Sequence, residues 1–184
     1  IYTALTISGT AALELISTDG FTELATITGT GSAGLTIDLD DNPLAYTISL
    51  GSGADSIVAD QANTGTGGRT VDMGAGNDTY DSADLGTESD DVISGGTGTD
   101  IFKSSDTSDL TVANLAGVSD FEHVVISEHN TSLDLAVFGT ANDISILEVE
   151  NNGTGTAASA FTNAKDSVTT LAIQGSTVAD TTAD

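Results

Sequence analysis

The chain has 184 residues, enough for one sizeable core or two small ones, and carries 28 acidic residues against 3 basic ones, a formal net charge of −25. Such a balance excludes nucleic acid and insertion into an anionic membrane, because both need clustered Lys or Arg, and Arg69, Lys103 and Lys165 are scattered. Hydrophobic residues make up 38% and come in short alternating runs, which excludes a disordered acidic tail, and the lack of cysteine excludes disulfides and thiolate metal sites. No apolar run approaches the roughly 18 residues of a membrane span. The chain begins at Ile1 without a methionine or a signal-like stretch, and so reads as a piece of a longer protein.

Helix signals are weak throughout. Val, Ile and Leu recur at alternate positions among Thr, Ser, Gly, Asn and Asp, which predicts a ladder of short strands. One frame repeats along the chain: Thr6-Ile7-Ser8-Gly9, Thr26-Ile27-Thr28-Gly29, Thr36-Ile37-Asp38-Leu39, Thr47-Ile48-Ser49-Leu50 and Thr70-Val71-Asp72-Met73. Val92-Ile93-Ser94-Gly95 fits it with the first residue changed. Gly29 to Gly34 matches the dinucleotide pattern G-x-G-x-x-G, but no helix pattern follows, and Leu35-Thr36-Ile37-Asp38 reads as another strand. Asp41-Asn42-Pro43 predicts a turn, and Ala59 to Gly68 an inserted loop. Further rungs are expected at Phe121 to Ile126, Leu133 to Phe138 and Ile144 to Leu147, with a short helical turn within 158–168. Thr169 to Ser176 repeats the form of Thr3 to Thr10, so the same rung stands at both ends without an obvious cap. The expected fold is all-β, an irregular parallel β-solenoid or β-roll-like ladder running through segments 1–46, 47–103 and 104–184.

The middle segment holds a recurring motif, Gly-x-Gly-x-Asp followed by an apolar residue. It appears as Gly51-Ser52-Gly53-Ala54-Asp55-Ser56-Ile57, as Gly74-Ala75-Gly76-Asn77-Asp78-Thr79-Tyr80 and as Gly95-Gly96-Thr97-Gly98-Thr99-Asp100-Ile101. A weaker copy, Ser89-Asp90-Asp91-Val92-Ile93, precedes the last. Glycines allow tight turns that bring carbonyl oxygens inward, and each aspartate adds a carboxylate. The result is an all-oxygen site suited to a hard cation such as Ca²⁺. Nine-residue units pair into an 18-residue coil with one loop on each side. The steps from Asp55 to Asp78 and from Asp78 to Asp100 equal one coil plus an insertion of four or five residues. That arithmetic puts Asp55, Asp78 and Asp100 on one edge and Asp91 on the other. The candidate metal-binding residues are therefore Gly51, Gly53, Asp55, Gly74, Gly76, Asp78, Asp91, Gly95, Gly96, Gly98 and Asp100.

Gly74 to Tyr80 and Gly95 to Phe102 resemble the nonapeptide repeats of RTX proteins. The flanking Thr/Ser-rich ladder, with Tyr46 to Ile57 and Val118 to Val124, is similar to the calcium-binding bodies of bacterial RTX-type surface-layer proteins. The motifs cover about residues 47–103. Two of three copies lack the first glycine of the pair, with Leu50 and Met73 in its place, and the units are not tandem, which favours a few sites in an irregular solenoid over a regular β-roll. The resemblance implies export by type I secretion, a place on the bacterial cell surface and self-association into a lattice or filament. It further implies contact with a cell-surface polysaccharide through regions outside these residues.

Other chemistry is thin. His123 and His129, with Glu122 and Glu128 nearby, lack a further His or Cys for zinc. Asp40-Asp41 and Asp90-Asp91 are adjacent acids of the kind that turns collect in so acidic a chain, rather than a glycosidase pair. No catalytic constellation occurs, and the chain reads as a calcium-stabilised structural protein rather than an enzyme. Two other readings fit the same residues: an RTX adhesin or ligand-binding module, and the calcium-binding module of a secreted enzyme whose catalytic domain lies elsewhere. Few aromatics for sugar stacking place the first below the structural reading, and a catalytic motif in neighbouring sequence would favour the second.

Overall fold

Alternation of β-branched and hydroxyl residues, punctuated by glycine, produces strands of only two to five residues, each too short to bury a core alone. The computed structural model describes residues 2–16, 23–39, 45–59, 67–82, 88–108, 110–127, 132–150 and 160–174. One face is a six-stranded sheet of β1 (Ala4–Ile7), β3 (Thr26–Gly29), β5 (Thr47–Ser49), β7 (Thr70–Asp72), β9 (Val92–Ser94) and β11 (Val118–Ser119), in that order. The opposite face is an eight-stranded sheet of β2 (Leu13–Ile16), β4 (Leu35–Asp38), β6 (Ser56–Val58), β8 (Thr79–Asp81), β10 (Ile101–Ser104), β12 (His123–Ile126), β14 (Ile146–Glu150) and β16 (Thr170–Gln174). A two-stranded sheet joins β13 (Ser132–Asp134) to β15 (Ala160–Thr162). Each strand pairs in parallel with the equivalent strand of the neighbouring coil, giving a β-solenoid of about six turns.

Like residues stack on like. On one inner face the register runs Leu5, Ile27, Ile48, Val71, Ile93, Val118. On the other it runs Leu15, Ile37, Ile57, Tyr80, Phe102, Val124, Leu147. Ile37, Ile57, Tyr80, Ile93, Phe102 and Val124 are fully buried, and each such side chain contributes about 1.5–3 kcal/mol through the area it removes from water. Phe102 stacks on Tyr80 with ring centroids 6.1 Å apart. It also meets Phe121 at 5.6 Å and Phe138 at 5.8 Å, edge to face.

Coil length differs from the 18-residue unit with a uniform insertion. Within the two large sheets paired residues lie 20 apart at the shortest, Thr36 with Ser56, and 25 apart at the longest, Ile93 with Val118. The half-turn from β5 to β6, β7 to β8 and β9 to β10 keeps a nine-residue step, as Thr47 to Ser56, Thr70 to Thr79 and Val92 to Ile101 show. The variation falls on the return half, where Asp41-Asn42-Pro43 and most of the loop expected at Ala59 to Gly68 lie outside the described residues.

Two expectations for the second half change, and the two end rungs part company. Leu133 to Phe138 is not one rung. After β13, Leu135–Phe138 form a 3₁₀ turn, because the Asp134 side chain accepts the Ala136 N–H at 2.9 Å and caps it. Within 158–168 the described residues form β15 and a turn near Asp166, not a helix. The two similar terminal rungs end different faces, since β1 edges the six-stranded sheet and β16 the eight-stranded one.

Candidate metal centre

The glycine loops are stacked backbone on backbone. Ser52 N–H donates to the Gly31 carbonyl at 3.0 Å, Ala75 N–H to that of Gly51 at 2.9 Å, and Thr97 N–H to that of Gly74 at 2.9 Å. Gly31, Gly51, Gly74 and Gly96 thus form one column, and Gly53, Gly76 and Gly98 a second. A Cβ on Gly98 would overlap the Gly76 carbonyl oxygen, and one on Gly96 that of Gly74. Gly74 and Gly96 also hold φ of +89° and +95°, which disfavours any residue with a Cβ. Gly95 is small for a different reason: a Cβ there would meet the Asp120 carbonyl oxygen and the Asp100 side chain.

Each loop ends on an aspartate at the start of a strand of the eight-stranded sheet. Asp55, Asp78 and Asp100 occupy equivalent register positions in successive coils and are buried. One carboxylate oxygen of each is committed. Asp55 Oδ1 accepts Leu35 N–H at 2.6 Å, Asp78 Oδ1 accepts Asp55 N–H at 2.7 Å, and Asp100 Oδ1 accepts Asp78 N–H at 2.8 Å. The second oxygen, Oδ2, of all three is buried and has no hydrogen-bond partner. An unpaired buried carboxylate oxygen is costly. Burial accordingly pushes the Asp78 carboxyl up to about 6, with the charges of Asp55 and Asp100 adding to the push. Burial also raises Asp55 and Asp100.

Two members of this column escape a motif search. Glu122 extends it, its Oε2 accepting Asp100 N–H at 2.9 Å; the clue is its spacing, 22 residues after Asp100, as Asp100 follows Asp78. At the other end the G-x-G-x-x-G stretch supplies Gly31 to the glycine column, and Leu35 takes the aspartate's place.

Asp91 belongs to the opposite edge, at the start of β9. Its Oδ1 accepts Arg69 N–H at 2.7 Å, while Oδ2 accepts Arg69 Nε–H at 3.0 Å, an Nη2–H at 2.7 Å and Glu88 N–H at 2.9 Å. Both oxygens are occupied by donors, and the ion pair is sealed from solvent. Asp90, its neighbour, is exposed. His123 lies on the eight-stranded face with Nε2 3.2 Å from Glu148 Oε2, while His129, Asp40 and Asp41 lie outside the described residues.

The donor set along Asp55, Asp78 and Asp100 is oxygen only, the chemistry a hard cation requires. Among the described residues the acids come one per coil and do not converge in threes. A cation there would rest on an orphaned Oδ2 together with backbone carbonyls of the stacked loops, and the residues fit Ca²⁺ on that footing. No protein-family model, curated protein or solved structure matches the chain.

Proposed function

We propose that this chain is a calcium-stabilised β-solenoid segment of a secreted structural protein of a bacterial surface layer, in the manner of the RTX proteins its loops resemble. One observation carries the reading: three buried Oδ2 atoms, at Asp55, Asp78 and Asp100, stand unpaired in a column lined by backbone-stacked glycine loops. Ca²⁺ supplies positive charge to that column. The protein does the rest. The Oδ1 atoms hold successive coils in register through backbone N–H groups, and glycines 51, 53, 74, 76, 96 and 98 let the loops approach. Because such a site exists only in the folded chain, cation binding is coupled to folding. Low cytosolic calcium leaves the chain export-competent, and roughly millimolar calcium outside folds it.

Further strands, whether from more of the same chain or from a second copy, can pair at the sheet edges of the described residues. β2 and β16 are the two edges of the eight-stranded sheet, and both expose apolar side chains: Leu13 and Ile16 at one end, Leu171 and Ile173 at the other. Parallel edges of this kind are templates for further strands.

The deciding experiment is a calcium titration followed by circular dichroism, on the chain and on Asp78→Asn. Asparagine keeps an oxygen acceptor for Asp55 N–H but removes the charge. It should therefore weaken calcium binding while leaving the calcium-free chain as stable as before or more so. An unchanged calcium requirement in Asp78→Asn would end the metal reading. Light scattering over the same range should show growth at millimolar calcium that chelator reverses.

A further inference from the structure

The two edges of the solenoid bury carboxylates in the same local frame but neutralise them differently. On the glycine edge Asp78 N–H donates to Asp100 Oδ1 at 2.8 Å, and on the return edge Arg69 N–H donates to Asp91 Oδ1 at 2.7 Å. Each carboxylate reaches back one coil to a backbone donor. The second oxygen then parts company. Asp100 Oδ2 is unpaired; Asp91 Oδ2 carries two guanidinium N–H groups and the Glu88 N–H. Arg69 is itself only 1% exposed, a position a guanidinium accepts only against a matching anion. Tyr46 and Tyr80 are buried beside it, and its positive charge opposes the rise that burial imposes on the Tyr46 hydroxyl.

We infer that Arg69 is a built-in counter-cation that does for the return edge what an external cation does for the glycine edge, so that β7 to β10 keep a folded return edge without added metal and act as the seed on which the other coils order. The second half of this inference rests on the calcium reading above; the first half does not. A buried guanidinium delivered by the coil below cannot be chelated away or diluted out. Its partner amides, Arg69 and Glu88, therefore belong to the part of the molecule that opens last.

Amide hydrogen exchange on the whole chain, with calcium and with EDTA, reads the difference directly. The Arg69 and Glu88 amides should keep their protection in EDTA, while the Asp55 and Asp78 amides lose at least about tenfold more. Equal loss at both edges overturns the seed. The clamp is tested separately in EDTA by comparing Arg69→Leu with the double variant Arg69→Leu/Asp91→Asn, in which the amide oxygen still accepts the Arg69 N–H. Leaving Asp91 buried alone should cut protection of Val92 to Ser94 by about a hundredfold or more, and removing both charges should restore most of it. A double variant as unprotected as the single one overturns the clamp. If Arg69→Leu does not fold at all, Arg69→Lys, which keeps a positive charge in the same space, must still protect Val92 to Ser94 in EDTA, and its failure overturns the proposal. Should calcium have no effect on the native chain, the metal reading falls, while the Leu variants still decide the role of Arg69.

Discussion

The coils from β5 to β10 and those from β11 to β16 turn the same edge with different chemistry. In the first group the strand-start column is acidic, Asp55, Asp78 and Asp100, continued by Glu122. In the second it becomes Ser145 and Thr169, whose hydroxyls reach back to the Glu122 and Ser145 carbonyls at 3.4 Å. The neighbouring corner is filled by Asn142, which is buried. Its Oδ1 accepts Phe121 N–H at 3.2 Å, and its Nδ2 donates to the Val118 carbonyl at 2.9 Å and the Phe138 carbonyl at 2.7 Å. Lys165 Nζ then donates to the Asn142 carbonyl at 2.8 Å and to the Gly139 carbonyl. These coils satisfy themselves with an amide, hydroxyls and an ammonium. The solenoid geometry thus does not demand buried acids at this edge.

Phe102→Ala should have the largest effect, because its ring meets Tyr80 on one side and Phe121 and Phe138 on the other and so couples the two groups. The expected loss is about 3–5 kcal/mol. Calorimetry should also resolve two unfolding steps in the variant against a single step expected for the native chain, and a single step in both would mean that the groups are joined mainly through the backbone ladder.

A middle-sized effect is expected from Asn142→Ala, which strands Phe121 N–H and the Val118 and Phe138 carbonyls. Denaturant unfolding should report a loss of about 1–3 kcal/mol that is the same in calcium and in EDTA. A loss that calcium repairs would place a cation requirement in the later coils.

The smallest effect is on pH dependence. In the cation-free chain Asp78 has a folded pKa of about 6, above the ordinary carboxylate value of about 4. Its proton favours the fold. That contribution is complete below about pH 4 and is lost as pH rises through about 6. Melting temperature in EDTA should therefore fall from pH 4.5 to pH 7, and Asp78→Asn should flatten the fall. A native profile already flat in EDTA would show that Oδ2 has found a protein donor.

Much of this was legible in the sequence for a definable reason. The Thr-Ile/Val frame and the glycine motif recur with the nine-residue step that β5 to β10 keep, so strand, loop and aspartate could be aligned by eye. What a step inside one coil cannot reveal is which residue meets which across coils. The link of Arg69 to Asp91 and that of Asp100 to Glu122 both span 22 residues and become contacts only once coil length is known. The 3₁₀ turn at Leu135–Phe138 was hidden for another reason: its apolar alternation imitates a strand, and the deciding signal is a single cap, Asp134. Thr170–Gln174 copies the alternation of the first rung because both are strands, and that pattern does not say which sheet a strand will join.

The uneven division of each coil has a consequence for what the molecule can present. The three motif-bearing half-turns hold their nine-residue step, whereas the opposite half-turns absorb differences of up to five residues per coil. The flank with the glycine loops is a ruled margin, identical in pitch from line to line, and the other flank is free text. A tag, a recognition loop or a second chain grafted onto the free flank should leave the line spacing untouched. The same graft on the margin would throw every later line out of step.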